Sequence, residues 1–342
     1  MRSKRELYLD LAVRLLEEGQ EFCLRRDNLS CVVSLGSKSV KITLPNRTRY
    51  DHIDILKGMF GLSNCDYPDY QIVFMDSISA GFVPNTEGLD PYDFPLGQVR
   101  SRLTAPFRIA LDTHTGTISV HDPRSGVVVV WRDDVTLLPY WAAATPFRLP
   151  FAWLADTFDG EMLHGAVLVR DQKALVMSGP SGAGKSTSSF QAKLHEFEIL
   201  SDDFFLFENG RFYPVYRRGK LHDSSLEILK DLPLKILNPD TSNQKRIIEL
   251  TFRNEGEVLN GVEAKAFLIP DPNLVDGVKE ASPGSVLRNL APYSISGILG
   301  GVERSLLRTK RAIINKPAYR MNLKQSREDF LRDLENVWSK HD

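Results

Sequence analysis

The 342-residue sequence has few of the features that mark secreted, membrane-spanning or nucleic-acid-binding proteins. It contains three cysteines and no C-x-x-C spacing, which disfavours a disulfide framework or a zinc site. No apolar run approaches the roughly 18 residues that predict a transmembrane helix, and the first residues form no apolar signal segment. The formal net charge is −1, so no general attraction to nucleic acid or to an acidic membrane is expected. The sequence therefore predicts a cytoplasmic protein whose partners include neither nucleic acid nor a membrane.

One glycine-rich stretch carries a motif that points to nucleotide chemistry. Residues 179–186 satisfy G-x-x-x-x-G-K-[ST], the pattern of phosphate-binding loops. An apolar strand candidate precedes the stretch and a helix-compatible segment follows it, which is the context that the motif requires. Glycines let backbone amides converge on a phosphate, and the following helix adds the positive end of its dipole. The predicted nucleotide-binding residues are Gly179, Pro180, Ser181, Gly182, Ala183, Gly184, Lys185, Ser186 and Thr187.

The residue types within this loop suggest particular tasks. The side chain of Lys185 would reach the β- and γ-phosphates of a nucleotide, and the hydroxyl of Ser186 would ligate Mg²⁺. The loop is not a dinucleotide-binding fingerprint, because Gly182-Ala-Gly184 is followed by Lys-Ser-Thr and no third glycine. ATP and Mg²⁺ are accordingly the predicted cofactors.

Two adjacent carboxylates follow the loop closely. Asp202 lies seventeen residues after Lys185, which leaves room for one helix, a turn and one buried strand. A carboxylate at the C-terminal end of such a strand falls beside the phosphate loop. Asp202 and Asp203 face opposite ways if the strand continues, whereas a bend would bring both inward. A helix is predicted over 151–163, and His164 is predicted to begin the strand before the loop strand.

Three features in this order resemble the HPr kinase/phosphorylase superfamily of P-loop kinases. They are His164-Gly165, the loop Gly179-Pro-Ser-Gly-Ala-Gly-Lys-Ser, and Ser201-Asp202-Asp203 one helix later, and they cover roughly residues 160–215. The resemblance implies an α/β fold akin to the phosphoenolpyruvate carboxykinase core, with a mixed sheet and ATP at the loop. It also implies transfer of the γ-phosphoryl group to a hydroxyl, typically of serine. Asp202 would be the general base, Asp203 would bind metal or orient the site, and His164 would lie beside the attacking hydroxyl.

The chain resembles a divergent member of that family. The glycine- and isoleucine-rich segment of the HPr-directed enzymes is absent, so the expected acceptor is a hydroxyl of a peptide, a protein or a small molecule. Because phosphoryl transfer depends mostly on positioning and electrostatics, further cations are expected near the loop. The candidates are Arg217, Arg218, Lys220, Lys245, Arg246, Arg304, Arg308 and Arg311. The segment 217–220 is preferred, because it follows directly from the strand that leaves Asp203.

Two domains are expected, a β-rich α+β domain over 1–150 and a P-loop kinase domain over 151–342. Within the first, a short helix over 51–60 and a loop over 81–97 are predicted. Its strands could recognise the substrate, assemble a homo-oligomer or support the core. The competing interpretation of the whole chain is a nucleotide-binding regulatory protein with little or no phosphotransfer. An ABC-type ATPase would need an L-S-G-G-Q-like segment, and guanylate kinase would carry the loop near its N-terminus, so the sequence fits neither.

Overall fold

The structure is a computed structural model that describes residues 3–46, 59, 65–90, 104–112, 115–134, 142, 144–239, 245–275, 277–294 and 302–340. The helices are α1 Lys4–Cys23, α2 Ser77–Ala80, α3 Arg148–Thr157, α4 Lys185–Ala192, α5 Asp223–Ile228, α6 Glu255–Leu259, α7 Pro283–Leu290, α8 Val302–Ile313 and α9 Arg327–Ser339. The strands are β1 Leu29–Leu35, β2 Lys38–Leu44, β3 Tyr70–Asp76, β4 Arg108–Asp112, β5 Thr117–Asp122, β6 Val127–Arg132, β7 Glu161–His164, β8 Ala166–Arg170, β9 Lys173–Met177, β10 Glu198–Ser201, β11 Phe204–Glu208, β12 Arg211–Pro214, β13 Arg218–Leu221, β14 Arg246–Glu249, β15 Glu263–Pro270, β16 Val278–Glu280 and β17 Ala318–Met321. The predicted mixed α/β class is confirmed.

A six-stranded mixed sheet organises the first part of the chain, in the order β1-β2-β3-β6-β5-β4. The hairpins β1–β2 and β4–β5 pair antiparallel, as the alternating apolar residues predicted. Helix α1 covers one face of this sheet through Tyr8, Leu15 and Phe22, which are fully buried. The helix predicted over 51–60, apart from Met59, and the end of the loop predicted over 81–97 lie outside the described residues.

A second six-stranded mixed sheet, in the order β10-β8-β9-β15-β17-β16, carries the glycine-rich loop. Strands β9, β15 and β17 run parallel. Strand β10 is antiparallel to β8, which is itself antiparallel to β9, so β10 and β9 point the same way. The C-terminal ends of β9, β10 and β17 therefore meet at one edge of the sheet, which is where α/β proteins place their ligand sites. No helix in the described ranges is both long and apolar enough to cross a bilayer.

Two small antiparallel sheets complete that edge. In the first, of order β12-β11-β7, Phe204 pairs with His164, so the histidine is held beside the segment that follows β10. In the second, β13 pairs with β14, and this ribbon brings Lys220 to the same place. Residues distant in the sequence are thus assembled around the loop by strand pairing.

The helix predicted over 151–163 is wrong in its second half. Helix α3 ends at Thr157, and β7 begins four residues later. Between them Asp159 adopts a left-handed conformation with φ of 61°, and the N–H of Gly160 returns to the carbonyl of Ala155 at 2.9 Å. This turn closes the helix in the manner of a C-terminal cap and lets the chain continue as a strand.

The position predicted for His164 also needs correction. His164 is the last residue of β7, and the next strand begins at Ala166. Gly165 separates the two strands and donates its N–H to the carbonyl of Asp203 at 2.9 Å. A Cβ at Gly165 would lie 2.5 Å from the carbonyl oxygen of Met177, so only glycine fits this close approach.

The boundary predicted between residues 150 and 151 falls inside helix α3. One hydrophobic core combines Val33 and Ile72 of the first sheet with Phe151 and Leu206 of the second part of the chain. The two parts therefore share buried apolar surface. The division into a β-rich domain and a kinase domain stays a prediction.

Candidate active site

The glycine-rich loop connects β9 to α4, in the strand–loop–helix arrangement that its sequence predicted. Gly182 and Gly184 have φ values of 78° and 97°, a region that residues with side chains rarely adopt. Gly179 has a different requirement, because a Cβ there would lie 2.9 Å from the ring of Pro270. The glycines of the motif are therefore explained by backbone conformation and by close packing.

Lys185 is the first residue of α4, and its ammonium group is enclosed by the loop. It donates to the carbonyl of Gly179 at 2.8 Å and to that of Pro180 at 3.0 Å, and the residue is 7% exposed. Burial lowers the pKa of Lys185, while the nearby carboxylates of Asp202 and Asp203 act in the opposite direction. The ammonium of Lys185 is thus held inside the loop by two backbone carbonyls.

Asp202 follows β10 and is 5% exposed. Its Oδ2 accepts the backbone N–H of Lys220 at 2.8 Å, whereas no donor among the described residues bonds to Oδ1. Burial raises the pKa of Asp202 to about 6, against hydrogen bonds from the Lys220 amide and the Ser186 side chain. Gly219 leaves space for this carboxylate, because a Cβ there would lie 3.2 Å from Oδ2. One buried carboxylate oxygen therefore remains available beside Ser186.

Asp203 has both of its oxygens engaged. Oδ1 contacts Nε2 of His164 at 3.2 Å, and Oδ2 forms an ion pair with the ammonium of Lys220. Burial alone would raise the pKa of Asp203, but the His164 hydrogen bond and the Lys220 charge outweigh it and hold the pKa well below its ordinary value. The Nδ1 atom of His164 is buried and has no hydrogen-bond partner in the described part of the chain.

These groups share one cavity of about 520 Å³. Three titratable residues outside the loop line the cavity, namely His164, Asp202 and Asp203. The loop residues that line it are Ser181, Gly182, Gly184, Lys185, Ser186 and Thr187. Both aspartates face this cavity because residues 202 and 203 form a bend rather than a continuing strand. Pro180 and Ala183 line a second, smaller cavity of about 220 Å³, together with Ser181 and Gly182.

The cations predicted for the site separate into two groups. Lys220 and Lys245 line the cavity, whereas Arg217 and Arg218 do not. Arg246 instead binds Asp223 at 2.7 Å. The helix face Arg304, Arg308 and Arg311 is not at the site, because it pairs with Asp156, Asp159 and Glu161.

Lys324 and Arg327 also line the cavity, and no motif in the sequence predicted them. They follow β17, which is parallel to β15 and lies two strands from the loop strand β9. Nothing in the local sequence marks this segment. The order of strands in the sheet places it at the loop edge, and that order could not be derived from the motifs.

Comparisons with known proteins add little to this geometry. No protein-family model matches the sequence, and no curated protein matches it. Among solved structures, the HPr(Ser) kinase/phosphatase from Coxiella burnetii is similar at 15% identity, over 53% of this chain and 95% of that chain, with a TM-score of 0.27. A TM-score this low carries no argument about the site. The comparisons therefore yield a weakly similar structure and no related sequence. Membership of the HPr kinase/phosphorylase superfamily stays a prediction.

Proposed function

We propose that the chain is an ATP-dependent kinase that transfers the γ-phosphoryl group to a hydroxyl of a peptide, protein or small molecule, with serine as the preferred acceptor. The observation that carries the proposal is the shared cavity of about 520 Å³, which is lined by both Lys185 of the loop and the buried Asp202. Phosphoryl transfer needs this combination of phosphate positioning and a proton acceptor.

The residues present fit ATP and Mg²⁺. Five cationic side chains and two carboxylates line the cavity, and this excess of positive charge suits a triphosphate. The cations are Lys185, Lys220, Lys245, Lys324 and Arg327, and the carboxylates are Asp202 and Asp203. Mg²⁺ is usually held by few protein ligands together with phosphate oxygens and water, and the hydroxyl of Ser186, which lines the cavity, would be one such ligand. In the ranges described, no three His, Cys, Asp or Glu side chains form a group that could hold a metal ion by themselves. When bound, Mg²⁺ neutralises charge on the phosphates.

Asp202 is the proposed general base. Its Oδ1 takes the proton of the acceptor hydroxyl while the acceptor oxygen bonds to the γ-phosphorus and the bond to the β,γ-bridging oxygen breaks, leaving ADP. A pKa of about 6 suits a base that works near neutral pH. Asp203 orients His164 and Lys220, and it would bind metal only if one of these two partners moved away.

The test is transfer of label from γ-labelled ATP with Mg²⁺ to a panel of serine, threonine and tyrosine peptides and free hydroxy-amino acids. We expect labelled acceptor with the wild type, and at least about 100-fold less with Lys185→Ala and with Asp202→Asn. Lys173→Ala and Asp171→Asn are matched controls, because both residues lie at the hairpin between β8 and β9, at the end of these strands away from the site.

The alternative is a nucleotide-binding regulatory protein. ATP binding with no transfer to any acceptor, unchanged by Asp202→Asn, would support that alternative and reject the kinase. Transfer that survives in Asp202→Asn would retain the kinase and reject Asp202 as its base.

A further inference from the structure

Arg148 is the first residue of α3, and the residue before it holds it in place. Phe147 has a left-handed backbone with φ of 55°, which is unfavourable for a residue with a side chain. Its ring packs against Phe74 at 5.5 Å and against Phe151 at 6.4 Å between centroids, and its carbonyl accepts the N–H of Phe151 at 2.9 Å. Strained backbone persists where surrounding packing determines it, so the start of α3 is a rigid position.

The guanidinium of Arg148 is exposed, yet an aromatic ring orients it. Its Cζ lies 5.3 Å from the centre of the Phe204 ring, within the range of a cation–π contact. Arg308, which is buried, pairs with three carboxylates, whereas no carboxylate of the described residues pairs with Arg148. A planar guanidinium in this state is suited to bind a carboxylate from another molecule.

Phe204 connects this arginine to the acid–base cluster. It follows Asp203 directly, and its ring centre lies 5.2 Å from that of His164. Tyr293 lies against the same imidazole, at 5.9 Å. The two separations through the Phe204 ring, 5.3 Å and 5.2 Å, set an upper limit on the distance between the guanidinium and the imidazole, which at most about three residues of extended peptide would span at roughly 3.3 Å each.

We propose that Arg148 is a specificity residue that binds an acidic side chain of a peptide acceptor, two or three residues from the hydroxyl that is phosphorylated. The inference rests on the proposed kinase activity and names the class of its substrate, an acidic peptide. Arg148 touches the acceptor and not the reacting atoms. The guanidinium of Arg148 and the imidazole of His164 both contact the ring of Phe204.

The experiment compares three serine peptides that differ only in the residue at two or three positions from serine, which is Asp, Asn or Lys. The wild type is expected to show a kcat/KM about fivefold higher for the Asp peptide than for the Asn peptide, the size of an exposed charge pair. The difference should lie in KM. In Arg148→Ala the ratio should fall to about one, and in Arg148→Glu the Lys peptide should become the better substrate.

Arg124→Ala is the matched control, because Arg124 is also exposed and also lies over a phenylalanine, at 5.6 Å from Phe107, but in the turn between β5 and β6. It should keep the wild-type ratio. Transfer that occurs with equal kcat/KM for all three peptides, or a ratio unchanged in Arg148→Ala and Arg148→Glu, would overturn the role of Arg148 and leave the kinase standing. A wild type that labels free amino acids but no peptide would also overturn it. A wild type that labels no acceptor would reject the kinase itself.

Discussion

Strand β7 joins two clusters of buried charge that differ in how completely they are neutralised. The first residue of β7, Glu161, accepts a hydrogen bond from the hydroxyl of Ser305 at 2.7 Å and contacts Arg308 at 3.5 Å. Arg308 also binds Asp156 at 2.6 Å and Asp159 at 2.8 Å. Every carboxylate of this first cluster has a cationic partner.

The cluster at the last residue of β7 is open by comparison. His164 contacts Asp203, but its own Nδ1 and the Oδ1 of Asp202 are buried without hydrogen-bond partners among the described residues. An unsatisfied buried acceptor is costly for stability, and a protein retains it where another molecule completes the bonding. This difference is the one expected if the open cluster binds a ligand and the closed cluster stabilises the fold.

The largest expected effect comes from Asp202→Asn, which removes charge from the open cluster. The rate of transfer should fall by roughly 10²–10⁴-fold, because the amide cannot accept the proton. Burial raises the pKa of Asp202, so at pH 8 its ionised form weakens the native state, and the neutral amide should leave the melting temperature equal or higher. Calorimetry at pH 8 beside the kinetic assay measures both. A clear loss of thermal stability would mean that Asp202 belongs to the fold as much as Glu161 does.

Arg308→Met should produce the opposite result in the closed cluster. It leaves Asp156 and Glu161 with buried charge and fewer partners, and breaking a buried pair costs about 3–5 kcal/mol. Urea unfolding would measure that loss, while kcat of the folded variant should stay close to the wild type. Arg311→Met is the control on the same helix, because Arg311 is 63% exposed and its pair with Asp159 should contribute at most about 1 kcal/mol. Equal unfolding free energies for the two variants would contradict the distinction.

The sequence predicted the open cluster better than the closed one. The loop and Asp202 are joined by one helix and one strand, so short spacing was enough to place them together. The Arg304–Arg311 face was one of the candidates for the site, because a basic helix face carries no local sign of its partners, which lie about 150 residues earlier.

Arg148 and strand β7, which replaces the second half of the helix predicted over 151–163, were missed for a related reason. Strand β7 exists because it pairs with β11, and the Arg148 side chain is oriented by Phe204 of that same strand. Both depend on contacts between residues about 40 or more positions apart in the sequence, and apolar periodicity reports only local structure.

The smallest effect is a dependence of stability on pH that belongs to the closed cluster. Burial raises the pKa of Glu161 to about 7, despite hydrogen bonds from Ser305 and Arg308, while the unfolded chain keeps the ordinary value of 4.5. Between these two values the folded state holds a proton that the unfolded state has lost, so the free energy of unfolding should decrease as pH rises from about 4.5 to 7. Glu161→Gln should remove this part of the decrease, and Glu227→Gln, on the exposed side of α5, should not. Urea unfolding at several pH values would measure both slopes. Equal slopes for Glu161→Gln and the wild type would mean that Glu161 is ionised in the folded protein and that Arg308 neutralises it fully. The contrast with Asp202 would then rest on Arg308 alone.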